Sequence, residues 1–248
     1  LPPATRALTA LGPAYIKFGQ VLSTRPDIVG EELSGQLKYL QDKLPPFPTA
    51  KAKAMIEAEL GLPVSTIFSE FSEPVAAASI AQVHRARLAE TGEDVAVKVL
   101  RPNIERAFRK DIDAFYLAAH WIERLAPFSR RLRPVDVITH FESVVLGELD
   151  LRLESSAAAE FAANTAKDEG FQVPKPHWFL SSRNVMTLGW AEGISLNDLA
   201  LIDAAGHDRR VLGARVLQLF LNHALRDGFF HADMHQGNLM IDAQGRLT

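Results

Sequence analysis

The sequence predicts an α+β protein in which helices and strands occupy separate stretches of the chain. Apolar residues recur at three- and four-residue steps through the first sixty positions and again over 104–168, the period of helices that bury one face. Between those stretches Val75, Val83, Val95, Val97 and Val99 alternate around a Gly-bearing turn, the pattern of a β-hairpin.

Each element has its own local reason. Pro2 and Pro3 suit a helix start, and Leu8, Leu11, Tyr15, Phe18 and Leu22 mark one face. A second helix over 31–41 ends before Leu44-Pro45-Pro46-Phe47-Pro48, a stiff linker that cannot lie inside a helix. Thr49 is placed to cap a helix over 50–60, and Gly61 stands where a left-handed residue ends it. Strands over 74–88 and 94–100 flank Thr91-Gly92-Glu93. After Arg101-Pro102-Asn103 come two long helices, 104–125 and 135–168, separated by a basic loop with Arg130, Arg131 and Arg133. Short strands over 177–180 and 185–188 follow, then helices over 196–201 and 208–227. Last comes a hairpin, 239–241 with 246–248, around Asp242-Ala243-Gln244-Gly245. Its second strand has barely begun at Thr248, so the chain is expected to be a piece of a longer protein.

Composition narrows the function. The 248 residues are 47% hydrophobic and 23% charged, with 27 Lys and Arg against 30 Asp and Glu. That balance lacks the basic excess of a protein that coats nucleic acid, and no nucleic-acid partner is expected. The absence of cysteine excludes disulfide scaffolds, thiol catalysis and cysteine metal sites. No apolar run approaches the ~18–20 residues that span a bilayer. The arginine loop reads as a solvated loop, with anionic lipid headgroups as its other use.

Five segments could carry chemistry. His231-Ala232-Asp233-Met234-His235-Gln236-Gly237-Asn238 sets an Asp and an Asn five apart on a loop that opens into a hairpin. A phosphoryl-transfer loop needs such a pair, the Asp for an attacking hydroxyl and the Asn for magnesium. The same HxDxH run also suits a metal hydrolase, or two buried, hydrogen-bonded histidines. Lys98 lies inside an apolar strand and shares a face with Ala96, either towards solvent or towards phosphates. On the long helix, Glu148 and Glu154 would diverge by ~120° if that helix were unbroken, so they should serve different partners. Asp150 and Glu154 lie four apart, on one side. Ala76-Ala77-Ala78-Ser79-Ile80-Ala81 puts alanine where phosphate-cradling loops carry glycine, giving either a stiffer cradle or a buried connection. Lys17 and Gln20, three apart with Ser23 beyond, form a polar helix face, either a surface patch or a dock for an acidic cleft.

In this order the five segments resemble the UbiB (ABC1/ADCK) family of atypical kinase-like proteins. Lys17-Phe18-Gly19-Gln20 matches its KxGQ motif, 76–84 its alanine-rich loop, and Val95-Ala96-Val97-Lys98-Val99 its lysine strand. Glu148-Leu149-Asp150, Glu154, Asn164 and 231–238 complete the match. Ala81 and Gln236 depart from the common glycine and proline. The resemblance implies a kinase-like fold: an N-terminal helical extension (1–73), a small β-rich N-lobe with inserted helices (74–188), and a partial helical C-lobe (189–248) ending before the DFG-type motif.

It further implies ATP or ADP with Mg2+ as cofactors. Lys98 and Glu154 would pair on the phosphates, Asp233 would be the catalytic Asp, and Asn238 a magnesium ligand. Nucleotide contacts would come from Ala76, Ala77, Ala78, Ser79, Ile80, Ala81, Val83, Ala96, Leu188 and Trp190. Lys17 and Gln20 would block the peptide cleft, answered by Glu148 and Asp150. The implied role is an atypical kinase or ATPase supporting ubiquinone biosynthesis, cytoplasmic and peripheral to the inner membrane. Its implied partners are membrane lipids or quinone precursors and ubiquinone-pathway enzymes. The alternative is a catalytically weak, nucleotide-gated binding module. Without the second magnesium carboxylate, residues 1–248 alone are expected to turn over ATP poorly.

Overall fold

A computed structural model describes residues 2–40, 44–125, 131–231, 234 and 236–248. The extension opens with α1 (Pro3–Leu11) and α2 (Pro13–Ser23), broken at Gly12, then α3 (Pro26–Val29) and α4 (Glu31–Leu37). After the proline linker come α5 (Thr49–Leu60) and α6 (Val64–Ile67). Pro48 takes the cap position of α5, and Thr49 lies in its first turn with its hydroxyl donating to Glu73. Gly61 does end that helix in the left-handed conformation, at φ 71° and ψ 11°.

The strands β1 (Phe68–Ala77), β2 (Ala81–Leu88), β3 (Asp94–Leu100) and β4 (Val185–Gly189) form one antiparallel sheet in the order β1-β2-β3-β4. β1 begins inside the stretch read as extension, and its register with β2 shifts between Phe71 and Pro74 and again between Pro74 and Ala76. Those irregularities broke the alternation that would have announced the strand. One sheet face is dry. Val95, Val97, Val99 and Val185 are fully buried there, packed with Ala52 and Ile56 of α5 and with Val64 and Ile67 of α6. Extension helices thus supply part of this lobe's core.

The helices α7 (Ile104–Leu125), α8 (Pro134–Glu148) and α9 (Leu151–Asn164) are inserted between β3 and β4. α7 buries Ile104, Phe108, Ile112, Phe115 and Ala119 at three- and four-residue steps. Against them lie Ile138, Phe141 and Val145 of α8 and Ala14, Tyr15 and Phe18 of α2. Phe18 stacks on Phe115 at 4.8 Å and meets Phe141 edge-on at 5.1 Å, an arrangement aromatic rings favour.

Two expected elements differ. The single helix over 135–168 is two helices, because Leu149 leaves helical geometry and Asp150 caps α9 by accepting the Arg152 N–H at 3.1 Å. The apolar run 177–180 is a 3₁₀ turn, Trp178–Leu180, with Phe179 99% exposed. Then follow β5 (Ile194–Ser195), α10 (Leu199–Ala204), α11 (Arg209–Asn222), a π turn over His223–Asp227 and β6 (Met240–Ile241). β6 pairs with β5 and also turns back on Leu247 and Thr248, so the expected terminal hairpin is present. Among the described residues, no helix is long and apolar enough to cross a membrane.

Candidate functional site: a lysine–glutamate pair under an alanine turn

The sheet's other face is partly open, and antiparallel register decides what lies on it. Val83, Lys98 and Met186 stand opposite one another across three strands, as do Arg85, Ala96 and Leu188, while Ala76 pairs with Val83. Residues that face each other across an antiparallel ladder point to the same side. Ala76, Val83, Ala96 and Leu188 therefore share one apolar surface, and the Lys98 amine projects from it. Trp190 follows β4, half-buried, with the Arg85 guanidinium 4.9 Å from its ring centroid.

The Lys98 amine donates to both carboxylate oxygens of Glu154 at 2.7 Å. Glu154 occupies the first turn of α9, which is fixed by buried Leu151 and Ser155 and by the Leu151 N–H donating to Arg183 O at 2.9 Å. With side chains 29% and 49% exposed, the pair stabilises the fold by only about 0–1 kcal/mol. Its worth is positional: it holds a cation at the end of an apolar surface.

The helix break settles the question of the two glutamates. Glu148 closes α8, and its carboxylate accepts from the Lys17 amine at 2.8 Å. Glu148 and Glu154 do serve different lysines, but because they sit on different helices, not because one helix turns them apart. Asp150 does not face the extension: the Arg152 guanidinium donates to it at 2.9 and 2.6 Å and holds its carboxyl below the usual carboxylate range. Gln20 is half-buried on α2, where its carbonyl accepts from the Ser23 hydroxyl.

Gly19, between Lys17 and Gln20, has a packing role. A Cβ there would stand 2.3 Å from Leu40 Cδ1 and 2.7 Å from Leu8 Cδ1. A side chain there would have to displace the Leu8 and Leu40 side chains that close over α2. Gly19→Val is expected to destabilise the protein by about 1–3 kcal/mol through overpacking, read as a lowered thermal midpoint.

The alanine-rich segment is half strand and half turn. Ala76 and Ala77 end β1, Ala81 begins β2, and the Ala78 N–H donates to Ala81 O at 2.8 Å to close the turn. Ala76 is exposed and Ala77 and Ala78 half-exposed, whereas Ser79, Ile80 and Ala81 are buried. The exposed part of the segment is therefore Ala76 to Ala78, with Ser79 to Ala81 packed beneath it. Asn238 lies exposed in a 3₁₀ turn, Gln236–Asn238, just ahead of β6. Asp233 and His235 lie outside the described residues, so neither the phosphoryl-transfer reading nor the HxDxH metal reading of that loop is tested by geometry.

Three residues escaped sequence reasoning. Gln82 and His84 are fully buried polar side chains on the dry face of β2, and Arg101 directly follows β3. The available signal was a Gln and a His two apart, on the strand face they share with Ala86 and Leu88. His84 Nδ1 lies 2.9 Å from Ser72 O, a pure acceptor, so Nδ1 carries the proton and Nε2 accepts from the Gln82 amide at 2.9 Å. Burial lowers the His84 pKa below its ordinary 6.5, with Ser72 O and Glu73 opposing that shift and Lys53 adding to it. The native state thus binds fewer protons at this site than the unfolded chain. Its stabilising contribution is complete above pH 6.5 and is lost as the pH falls from there through the depressed native value. The expected slope is at most about 1.4 kcal/mol per pH unit, checked by urea unfolding at a series of pH values, and His84→Gln should flatten it.

Comparison with known proteins places this geometry. Residues 39–248 match the ABC1 atypical kinase-like domain. A protein of Marinobacter nauticus named "probable protein kinase UbiB" is 41% identical over 237 residues, covering 95% of this chain and 43% of its own length. One from Pseudomonas paraeruginosa with the same name is 40% identical over 239 residues, covering 96% and 45%. The chain thus spans less than half of these relatives. The structure of Rv3197 from Mycobacterium tuberculosis, solved in complex with erythromycin, is similar with a TM-score of 0.67 and 30% identity, over 93% of this chain and 57% of that one. With a kinase-like lobe whose strand lysine is held by a helix glutamate, and with this match over most of its length, the chain belongs to the ABC1 atypical kinase-like family.

Proposed function

We propose that this chain is the nucleotide-gripping part of an atypical kinase or ATPase, one that binds ATP or ADP with Mg2+ and supports ubiquinone biosynthesis beside the membrane. The observation that carries the reading is the Lys98–Glu154 pair at the end of the apolar sheet face. Val83, Ala96 and Leu188 offer a flat surface to a base, with Ala76 at its rim. Lys98 donates to phosphate oxygens, and Glu154 keeps its amine in place. Asn238 supplies a carboxamide oxygen, the hard donor that magnesium takes alongside waters and phosphates. Magnesium, when bound, neutralises charge on the phosphates. Asp233 orients the attacking hydroxyl or water, and Lys17, locked on Glu148, keeps the extension across the face where a peptide would enter.

Calorimetric titration of the chain with Mg-ATP and Mg-ADP tests this. Saturable binding that weakens when magnesium is chelated is the expected result. No binding of either nucleotide would overturn the reading.

A further inference from the structure

Gln82 holds the proline linker to β2, and Arg101 holds that linker and the alanine turn together. The fully buried Gln82 accepts the Phe47 N–H on Oε1 at 2.9 Å and donates from Nε2 to Phe47 O at 3.2 Å and to His84 at 2.9 Å. Arg101 donates from Nε and Nη2 to Ala78 O at 3.1 and 2.9 Å, and from the same Nη2 to Pro45 O at 2.9 Å. Its guanidinium also lies 5.8 Å from the centroid of the Phe47 ring, and its own N–H donates to Ile80 O at 2.8 Å. Pro45, Phe47 and Ala78 are thus bonded to the side chains of Gln82 on β2 and of Arg101 just after β3, and Ile80 to the Arg101 backbone. Displacing either segment by about 1 Å takes these contacts past hydrogen-bonding range, and a buried amide left unpaired is costly.

We propose that Gln82 and Arg101 are positioning residues that lock the alanine-rich turn to the linker between α4 and α5, so that movement of the N-terminal helices is transmitted to the turn. Resting on the nucleotide reading above, the lock couples those helices to nucleotide binding. Such coupling is reciprocal: a ligand that tightens the turn also tightens the linker.

Two backbone amides report on the lock in the full chain. The Phe47 N–H donates to Gln82 Oε1, and the Ala78 N–H closes the turn. Arg101→Lys keeps the charge and stem but loses the two-nitrogen fork. It is expected to speed hydrogen exchange about 10-fold at Ala78 and, through the linker, at Phe47 as well. Gln82→Ala should do the same to Ala78, and Phe47→Ala provides a second perturbation from the linker side should Gln82→Ala not fold. Exchange that changes only at the amide nearest each substitution would show a local brace and overturn the proposal. Effects of Arg101→Lys and Phe47→Ala that simply add would overturn it too, since one lock gives a non-additive pair. On saturation with Mg-ATP, exchange at Phe47 should slow, and an unchanged rate there refutes the coupling. A chain that binds no nucleotide overturns the earlier reading instead, while the cross-effects in the unliganded chain still decide the lock.

Discussion

Lys98→Ala is expected to weaken Mg-ATP binding by about 10- to 100-fold. A hydrogen bond from a charged donor contributes about 1.5–3 kcal/mol, and each 1.4 kcal/mol is tenfold in affinity. The substitution also leaves Glu154, formerly 2.7 Å from the amine, as an unneutralised carboxylate facing the phosphates. Glu154→Gln should be milder, because the amine stays and only its support is lost. The double variant Lys98→Ala/Glu154→Gln should recover part of the loss, since the repelling charge is gone. Calorimetry on the four proteins reads the coupling directly. Equal affinity in the parent and Lys98→Ala would remove the amine from the site.

The largest effect on stability is expected at Phe141. Its ring is fully buried and lies between Phe18 of the extension, at 5.1 Å, and Phe115 of α7, at 5.9 Å. Phe141→Ala should cost about 3–5 kcal/mol, the usual range for emptying a packed aromatic site. Urea unfolding followed by circular dichroism measures it. A loss under about 1 kcal/mol would mean that the three rings do not form one core. The variant should also loosen α2, and with it the Lys17–Glu148 bond that sets the KxGQ segment in place.

Much of this was legible in the residues. The strand lysine, the alanine segment and the long helices each carry a local pattern that marks the element, although the residues alone left two uses open for the lysine and for the alanines. The Lys98–Glu154 contact, 56 positions apart, was legible only through family resemblance, since no spacing rule reaches that far. The break between α8 and α9 hid because Leu149 and Leu151 both face the core, so the apolar rhythm runs on while the backbone turns. Asp150 then looked like one more acid on a helix face, whereas it is a cap. Trp178 and Phe179 imitated a strand by being apolar, yet Phe179 is almost wholly exposed. The lock of Gln82 and Arg101 on the linker was beyond reach: its acceptors include backbone carbonyls, and every residue type has one.

The dry face of the sheet has a consequence for how such a chain can be divided. Its valine rows are roofed by α5 and α6, which precede the first strand. A shortened polypeptide starting at Phe68 would present a bare β-branched surface to water, and such surfaces recruit one another into aggregates. The two helices and the sheet therefore have to be kept together in any fragment meant to stay dispersed in water.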